Sequence, residues 1–165
     1  MRKILIVLVL VLIAGSGWSQ DLKKFPMDDP TTGFGAVNDP SVKAEGKGSL
    51  RISTPGPSTV CLGQMDGLNV ENATLVYRAR LKSDMQGSAY LELWVTVGGK
   101  AYFSKGLPTA VTGKSDWAEA RAPFYLQKGQ RAESVVFNLV INGKGTVWVD
   151  DAALSKEPLP AQTPK

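Results

Sequence analysis

The sequence predicts an all-β domain, an antiparallel sandwich or barrel of about eight strands. After residue 20, no stretch repeats apolar residues at helical spacing for long enough to define a helix, whereas short runs alternating apolar and polar residues recur. Residues that favour turns separate these runs. The chain has 165 residues, of which 43% are hydrophobic, and this length corresponds to one globular domain. Many short strands without helices indicate a sandwich or a barrel.

Alternation defines the strands and their faces. Between residues 74 and 82, Leu75, Tyr77, Ala79 and Leu81 share one face, which predicts a strand with a buried side and a solvated side. Between residues 89 and 97, the odd-numbered apolar residues share a face in the same way. The remaining predicted strands are 48–53, 59–64, 100–104, 117–126, 134–142 and 146–154.

Turns are predicted where glycine, proline and asparagine cluster between the strands. The pairs Gly98-Gly99 and Asn142-Gly143 predict tight hairpins, because these residues tolerate positive φ. Further turns are predicted at 54–57, 84–88, 112–116, 128–130 and 142–145.

The boundaries of the domain follow from these patterns. The sandwich is expected over residues 20–154, and a domain of this length removes roughly two-thirds of its unfolded surface from water without needing a disulfide. Residues 155–165 contain Pro158, Pro160 and Pro164 but no hydrophobic pattern, which predicts a flexible tail.

The first 19 residues predict a cleavable signal peptide. Arg2 and Lys3 precede an apolar run of about 11 residues, and the small residues Gly17 and Ser19 follow it. A membrane-spanning helix needs about 20 apolar residues, so a permanent membrane anchor is the weaker of the two interpretations. The protein is therefore expected to be secreted or periplasmic.

Composition excludes several classes of function. The chain has no histidine and one cysteine, which rules out histidine-based catalysis, histidine-ligated metal sites and an internal disulfide. The 19 basic residues fall to 17 once Arg2 and Lys3 are removed, against 15 acidic residues. They are scattered rather than clustered, so no nucleic-acid partner is expected. Cys61 lies between Val60 and Leu62, where a free buried thiol is expected.

An enzyme built on this sequence would have to use carboxylates. Glu92 with Asp150 or Asp151 is the pair to consider for hydrolysis. Nothing in their spacing brings them together, and no phosphate-binding loop or calcium-binding EF-hand spacing is present. No catalytic activity is therefore expected.

The last predicted strand contains a slip in its alternation. Val147 and Val149 occupy odd positions, whereas Ala152 and Leu154 continue the apolar set on even ones. A bulge preserves the buried face across such a slip, and the redirected carboxylate at Asp150 has two interpretations. It either accepts backbone N–H bonds at the bend or binds a structural calcium ion.

Three segments together resemble a known family. Gly46-Lys47-Gly48-Ser49-Leu50-Arg51-Ile52, the stretch from Ser115-Asp116-Trp117 to Pro123-Phe124, and Gly145-Thr146-Val147-Trp148-Val149-Asp150-Asp151 to Leu154 are similar in order and spacing to the galactose-binding-like jelly-roll superfamily of carbohydrate-binding modules. The resemblance covers residues 25–154. It implies an antiparallel two-sheet jelly-roll β-sandwich, often with a structural calcium, on extracellular bacterial proteins that bind glycans.

Candidate binding residues lie on two of the predicted strands. A sugar presents a flat C–H face and a rim of hydroxyls, so its site needs exposed aromatic rings beside planar polar groups. Tyr90, Glu92 and Trp94 share one strand face, and Asn138 and Asn142 share another. The alternative is that a second apolar layer, such as the segment 25–34, covers the two rings. Tyr102 and Phe103 lie on a short strand where one ring is expected to point outward and flank a groove.

These observations favour a secreted, non-catalytic carbohydrate-binding-like module whose partner is a glycan or another cell-envelope component. No cofactor is expected apart from the calcium ion considered at Asp150. The alternative function is an envelope structural or protein-interaction β-sandwich that binds no sugar, in which the same apolar face docks a partner chain.

Overall fold

A computed structural model describes residues 19–25, 27–28 and 36–161. The predicted signal peptide, apart from Ser19, lies outside these residues, as do residues 162–165. Within the described ranges the chain has no α-helix, and no helix suited to crossing a membrane was found there. The elements are β1 (Gln20–Phe25), β2 (Ala36–Asp39), β3 (Ser49–Thr54), β4 (Ser58–Val70), β5 (Ala73–Val97), β6 (Lys100–Lys105), a 3₁₀ turn (Leu107–Thr109), β7 (Val111–Leu126) and β8 (Ala132–Glu157).

Two long strands, β5 and β8, organise the fold. They pair antiparallel along their whole length, from Thr74 opposite Glu157 to Val97 opposite Ala132. In one half of this pair, β1 and β3 are bonded to β8, and β7 is bonded to β5. The strand β2 pairs with the outer edge of β3. The other half carries β4 on β8 and β6 on β5. All pairings are antiparallel. Because β5 and β8 run through both halves, one hydrogen-bonded sheet supplies both layers.

The two halves fold back on each other to form a sandwich. In a straight strand, Tyr77 and Leu93 would lie roughly 53 Å apart. Instead, the ring of Tyr77 contacts Phe137, which pairs with Leu93, at 5.1 Å between ring centroids. Phe25 of β1 contacts the other side of Phe137, also at 5.1 Å. Aromatic residues from both layers therefore meet in one core, and the all-β sandwich prediction is confirmed.

Glycines allow the two long strands to bend together. At the bend, residues 85–88 of β5 face residues 142–145 of β8. A Cβ on Gly87, which has φ of 118°, would lie 2.0 Å from the carbonyl oxygen of Asn142. A Cβ on Gly143, which has φ of 147°, would lie 1.9 Å from the carbonyl oxygen of Gln86. Only glycine fits this close approach of two backbones.

Several turns and faces agree with their predictions. The odd-numbered residues from 75 to 81 and from 89 to 95 are buried in the core, and so are those from 135 to 141. The predicted turns at 54–57 and 128–130 join separate strands. Gly98 and Gly99, with φ of 57° and 72°, form the predicted hairpin between β5 and β6.

Three predicted turns are wrong. Residues 84–88, 112–116 and 142–145 lie inside β5, β7 and β8, because strands that bend or bulge use the same glycines as hairpins do. The strands β1 and β2 were not predicted, since neither alternates cleanly. The strand β8 also runs on to Glu157, with Ser155 only 1% exposed.

The predicted bulge at the alternation slip of β8 is confirmed. Arg78 pairs with Ala153 and Arg80 with Asp150, so two residues of β8 oppose Ala79 alone. Asp151 takes a φ of 44° there. The apolar residues on both sides of the slip consequently reach the same core, namely Val147, Val149, Ala152 and Leu154.

The core encloses a costly polar group, the hydroxyl of Tyr77. Tyr77 is fully buried, its hydroxyl has no hydrogen-bond partner within the described part of the chain, and burial raises the pKa of its phenol. Tyr77→Phe keeps the ring contacts with Phe137 and removes the unsatisfied hydroxyl. We expect the free energy of unfolding to rise by about 1 kcal/mol, measured by urea denaturation. A loss of stability would instead indicate that a buried water bonds the hydroxyl.

Candidate functional site

The outward face of the layer formed by β6, β5, β8 and β4 carries most of the predicted site residues; we call it the candidate face. Paired residues on neighbouring strands point to the same side of a sheet, so the register arranges this face in rows that cross the strands. From β6 to β4, the first row is Ala101, Thr96, Ser134 and Asp66, the second is Phe103, Trp94, Val136 and Gln64, and the third is Lys105, Glu92, Asn138 and Cys61.

A depression of about 250 Å³ lies on this face. The short side chains of the first row leave space beside the much larger Trp94 of the second row. Asn138 of the third row contributes an amide to the lining. The residues around the depression are Trp94, Thr96, Ala101, Ser134, Val135, Val136 and Asn138.

One aromatic ring, that of Trp94, lines the depression, and a second ring, that of Phe103, packs against it. Trp94 is half-buried and packs against Phe103 with 5.0 Å between ring centroids and 40° between ring planes. Phe103 is 53% exposed, and the Lys105 ammonium lies 5.3 Å from the centroid of its ring. The rings are neighbours across the strands β5 and β6, and together they offer an accessible apolar surface.

A buried carboxylate connects the polar groups of the site. Glu92 is 8% exposed, and its Oε1 accepts hydrogen bonds from Trp94 Nε1 at 2.7 Å and from Asn138 Nδ2 at 3.3 Å. Glu92 is not among the residues that line the depression. It is hydrogen-bonded to two residues that do, Trp94 and Asn138.

The structure brings three of the five predicted site residues together and leaves two apart. Glu92, Trp94 and Asn138 form one hydrogen-bonded group. Tyr90 is only 4% exposed and lies between Val140 and the chain that follows β6. Asn142 is exposed but lies at the bend, opposite Ser88. The accessible ring beside Trp94 is thus Phe103 rather than Tyr90.

The burial of Tyr90 has a local cause. The strand β6 ends at Lys105, and Gly106 then donates its N–H to the carbonyl oxygen of Leu91 at 2.8 Å. The 3₁₀ turn therefore lies against β5 at the level of Tyr90. Phe25, in the segment considered as a cover for the rings, packs on Phe137 in the core instead. Residues 29–34 of that segment lie outside the described residues.

The expectation of a buried thiol at Cys61 is wrong. Val60 and Leu62 are 4% exposed, but Cys61 is half-exposed on the candidate face opposite Asn138. The alternation of buried residues in β4 was the available signal, because it turns the residue between them outward. The single thiol of the chain therefore lies beside the candidate site.

Asp150 makes contacts that do not fit a calcium ligand. Its Oδ2 accepts the N–H groups of Ala44 and Glu45 at 2.8 and 2.9 Å, and its Oδ1 accepts the N–H of Asp151 at 2.8 Å. Donors already point at both oxygens, and the residue is 1% exposed. Across the described ranges, no group of three or more His, Cys, Asp or Glu residues is placed to hold a metal ion. The backbone-bonding interpretation of Asp150 is the one these contacts favour.

The fold is a jelly-roll sandwich similar to that of solved carbohydrate-binding modules, which confirms the resemblance at the level of the fold. No family model and no curated protein matches the chain. Among solved structures, it is similar to the CBM22-1 xylan-binding domain of Xyn10C from Paenibacillus barcinonensis. That match has a TM-score of 0.59 and 13% identity, covering 86% of this chain and 97% of that domain.

Two further structures show the same likeness. The tandem CBM22-1-CBM22-2 domain of Xyn10C, also from Paenibacillus barcinonensis, matches with a TM-score of 0.60 and 13% identity, over 92% of this chain and 49% of the tandem. The CBM22-1-GH10 modules of Clostridium thermocellum Xyn10B, complexed with xylohexaose, match with a TM-score of 0.51 and 11% identity, over 84% of this chain and 25% of that one. At these sequence identities, the structural similarity shows the fold alone.

The role of Asp150 can be measured directly. Asp150→Ala removes the acceptor of three backbone N–H groups, so we expect the free energy of unfolding to fall by about 3 kcal/mol. The matched control is Asp151→Asn. Asp151 is half-buried, and its Oδ2 lies 3.7 Å from Nη1 of Arg78. Asparagine tolerates the positive φ of this position as aspartate does. The control should cost less than about 1 kcal/mol. A chelator should leave the melting temperature unchanged; a lower melting temperature would show that a metal ion stabilises the fold.

Proposed function

We propose that this protein is a secreted, non-catalytic module that binds a glycan in the depression on the candidate face. The observation that carries the proposal is the position of this depression beside the Trp94 and Phe103 ring pair and a hydrogen-bonded amide. Secretion is supported by the signal-peptide pattern of residues 1–19.

The chemistry of the depression suits a sugar. The C–H face of a pyranose packs on the faces of Trp94 and Phe103, whose rings are partly accessible. Its hydroxyls then meet Thr96, Ser134 and Asn138, and each of these side chains can both donate and accept hydrogen bonds. Because the first row crosses the strands, a polysaccharide segment is expected to run across β6, β5 and β8 rather than along one strand.

Xylan is the first glycan to test. The similar domain from Paenibacillus barcinonensis is named as xylan-binding, and the similar modules from Clostridium thermocellum were complexed with xylohexaose. The proposed partner of this chain is therefore a glycan, with xylo-oligosaccharides as the first probes.

The absence of catalysis is supported by the positions of the acidic residues. Glu92 lies on the candidate face, whereas Asp150 and Asp151 belong to the half of β8 in the other layer. Glu92 accepts two N–H donors, and Asp150 accepts three. These carboxylates serve structure rather than a hydrolytic pair.

A second function is favoured by the apolar edge next to the site. Tyr102, Phe103 and Leu107 are 47%, 53% and 56% exposed, on or just after the edge strand β6. An exposed apolar edge of this kind also suits docking of a partner chain. An envelope protein that binds this edge without any glycan would favour the alternative.

Trp94→Ala tests the proposed site. Loss of the ring should weaken glycan binding by about 2 kcal/mol, roughly 30-fold in Kd, measured by calorimetric titration with xylohexaose and other oligosaccharides. The matched control is Trp148→Ala, because Trp148 is also half-buried and also donates its Nε1–H to a carboxylate, Asp39, but lies on the other layer. Equal affinity in the Trp94 variant and the unmodified protein would remove the site assignment.

Cys61 provides a test that needs no substitution. As the single thiol, half-exposed beside Asn138, it should react more slowly with a small maleimide when a glycan occupies the neighbouring depression. We expect saturating glycan to slow labelling about threefold, and this protection should weaken in Trp94→Ala at the same glycan concentration, because the variant binds less of the glycan. An unchanged labelling rate at saturation would place the glycan elsewhere on the protein.

A further inference from the structure

We propose that Glu92 is a positioning residue, which sets the hydrogen-bonding groups that the depression offers to its ligand without touching the ligand itself. The inference rests on the proposed function and adds a determinant of its specificity. It departs from the expectation that Glu92 contacts the glycan directly.

The position of Glu92 supports this role. Glu92 is 8% exposed and Asn138 is 9% exposed, so both residues are largely withdrawn from water. Trp94 and Asn138 line the depression, whereas Glu92 does not. One carboxylate oxygen thus accepts hydrogen bonds from both the ring and the amide that line the depression.

These hydrogen bonds determine what each lining residue can offer. An indole has a single N–H donor, and that of Trp94 is used by Glu92, so Trp94 presents ring carbons to a ligand. Asn138 donates its Nδ2–H to Glu92 at 3.3 Å, so its amide nitrogen faces that carboxyl group. The Oδ1 of Asn138 then remains as an acceptor for a ligand hydroxyl.

Within the described part of the chain, the residue opposite Glu92 on β6 forms no ion pair that would replace the hydrogen bonds from Trp94 and Asn138. Lys105 pairs with Glu92 in the register, but its ammonium lies over the ring of Phe103, and the described residues include no ion pair between the two within 4.0 Å. The Trp94 and Asn138 N–H groups are therefore the donors that hold Glu92.

The test compares two substitutions of Glu92 with a control. Glu92→Gln keeps an acceptor oxygen for Trp94 and Asn138, whereas Glu92→Leu removes it. We expect Glu92→Leu to raise the Kd for xylohexaose about tenfold and Glu92→Gln to change it less than about threefold. Asp39→Asn is the control, because Trp148 donates to Asp39 at 3.0 Å, and this bond lowers the pKa of Asp39. It should leave the Kd unchanged.

A spectroscopic readout separates positioning from general destabilisation. The indole N–H resonance of Trp94, assigned by its loss in Trp94→Phe, should shift in Glu92→Leu and stay near its position in Glu92→Gln. In a double-mutant cycle, Glu92→Leu should cost less in the Trp94→Phe background, because that ring has no N–H to place. If Glu92→Leu fails to fold, Trp94→Phe alone is expected to weaken binding about threefold, and unchanged affinity would overturn the proposal.

Other outcomes are equally decisive. Equal losses in both Glu92 variants, with the Trp94 resonance unmoved, would show that the charge of Glu92 contacts the glycan and would overturn the positioning role. Unchanged binding in Glu92→Leu would overturn it as well. If the unmodified protein binds no glycan, the proposed function fails, but the Trp94 resonance in Glu92→Leu still decides whether Glu92 positions the ring.

Discussion

The continuous pairing of β5 with β8 is the constraint on which the rest of the structure depends. These two strands contribute to both layers, and every other strand of the described chain attaches directly to one of them, except β2, which pairs with β3. The pair folds back only because Gly87 and Gly143 let two backbones approach more closely than any Cβ permits. A side chain at either position would force apart the strands that supply both the core and the candidate face.

The candidate site follows from the same pairing. Glu92 and Asn138 are 46 residues apart in sequence but directly opposite in the register of β5 and β8. Burial of a carboxylate is costly unless donors satisfy it, and here the donors are the ring and the amide that border the depression. The hydrogen bonds among Glu92, Trp94 and Asn138 therefore connect β5 to β8 and also orient the side chains that line the depression.

The sequence predicted those features of the fold that depend on neighbouring residues alone. Period-two alternation identified the buried faces of β5 and β8, and the slip after Val149 predicted the bulge, because each depends on neighbouring residues alone. Glycines with positive φ serve hairpins and bent strands alike, so the sequence did not distinguish the turn at Gly98 from the bend at Gly143. The burial of Tyr90 and the exposure of Cys61 depend on what packs above each strand. The convergence of Glu92, Trp94 and Asn138 likewise depends on the register between β5 and β8, which pairs residues that are distant in sequence.

The order of the strands along the chain has a consequence for how the protein is made. The strand β8 is the last element of the described chain, and it pairs with β1, β3, β4 and β5, most of them far away in sequence. Neither layer is complete before residues 132–157 leave the ribosome, and contacts of such long range form slowly. The sandwich of such a polypeptide therefore closes only once its last strand, β8, has been synthesised.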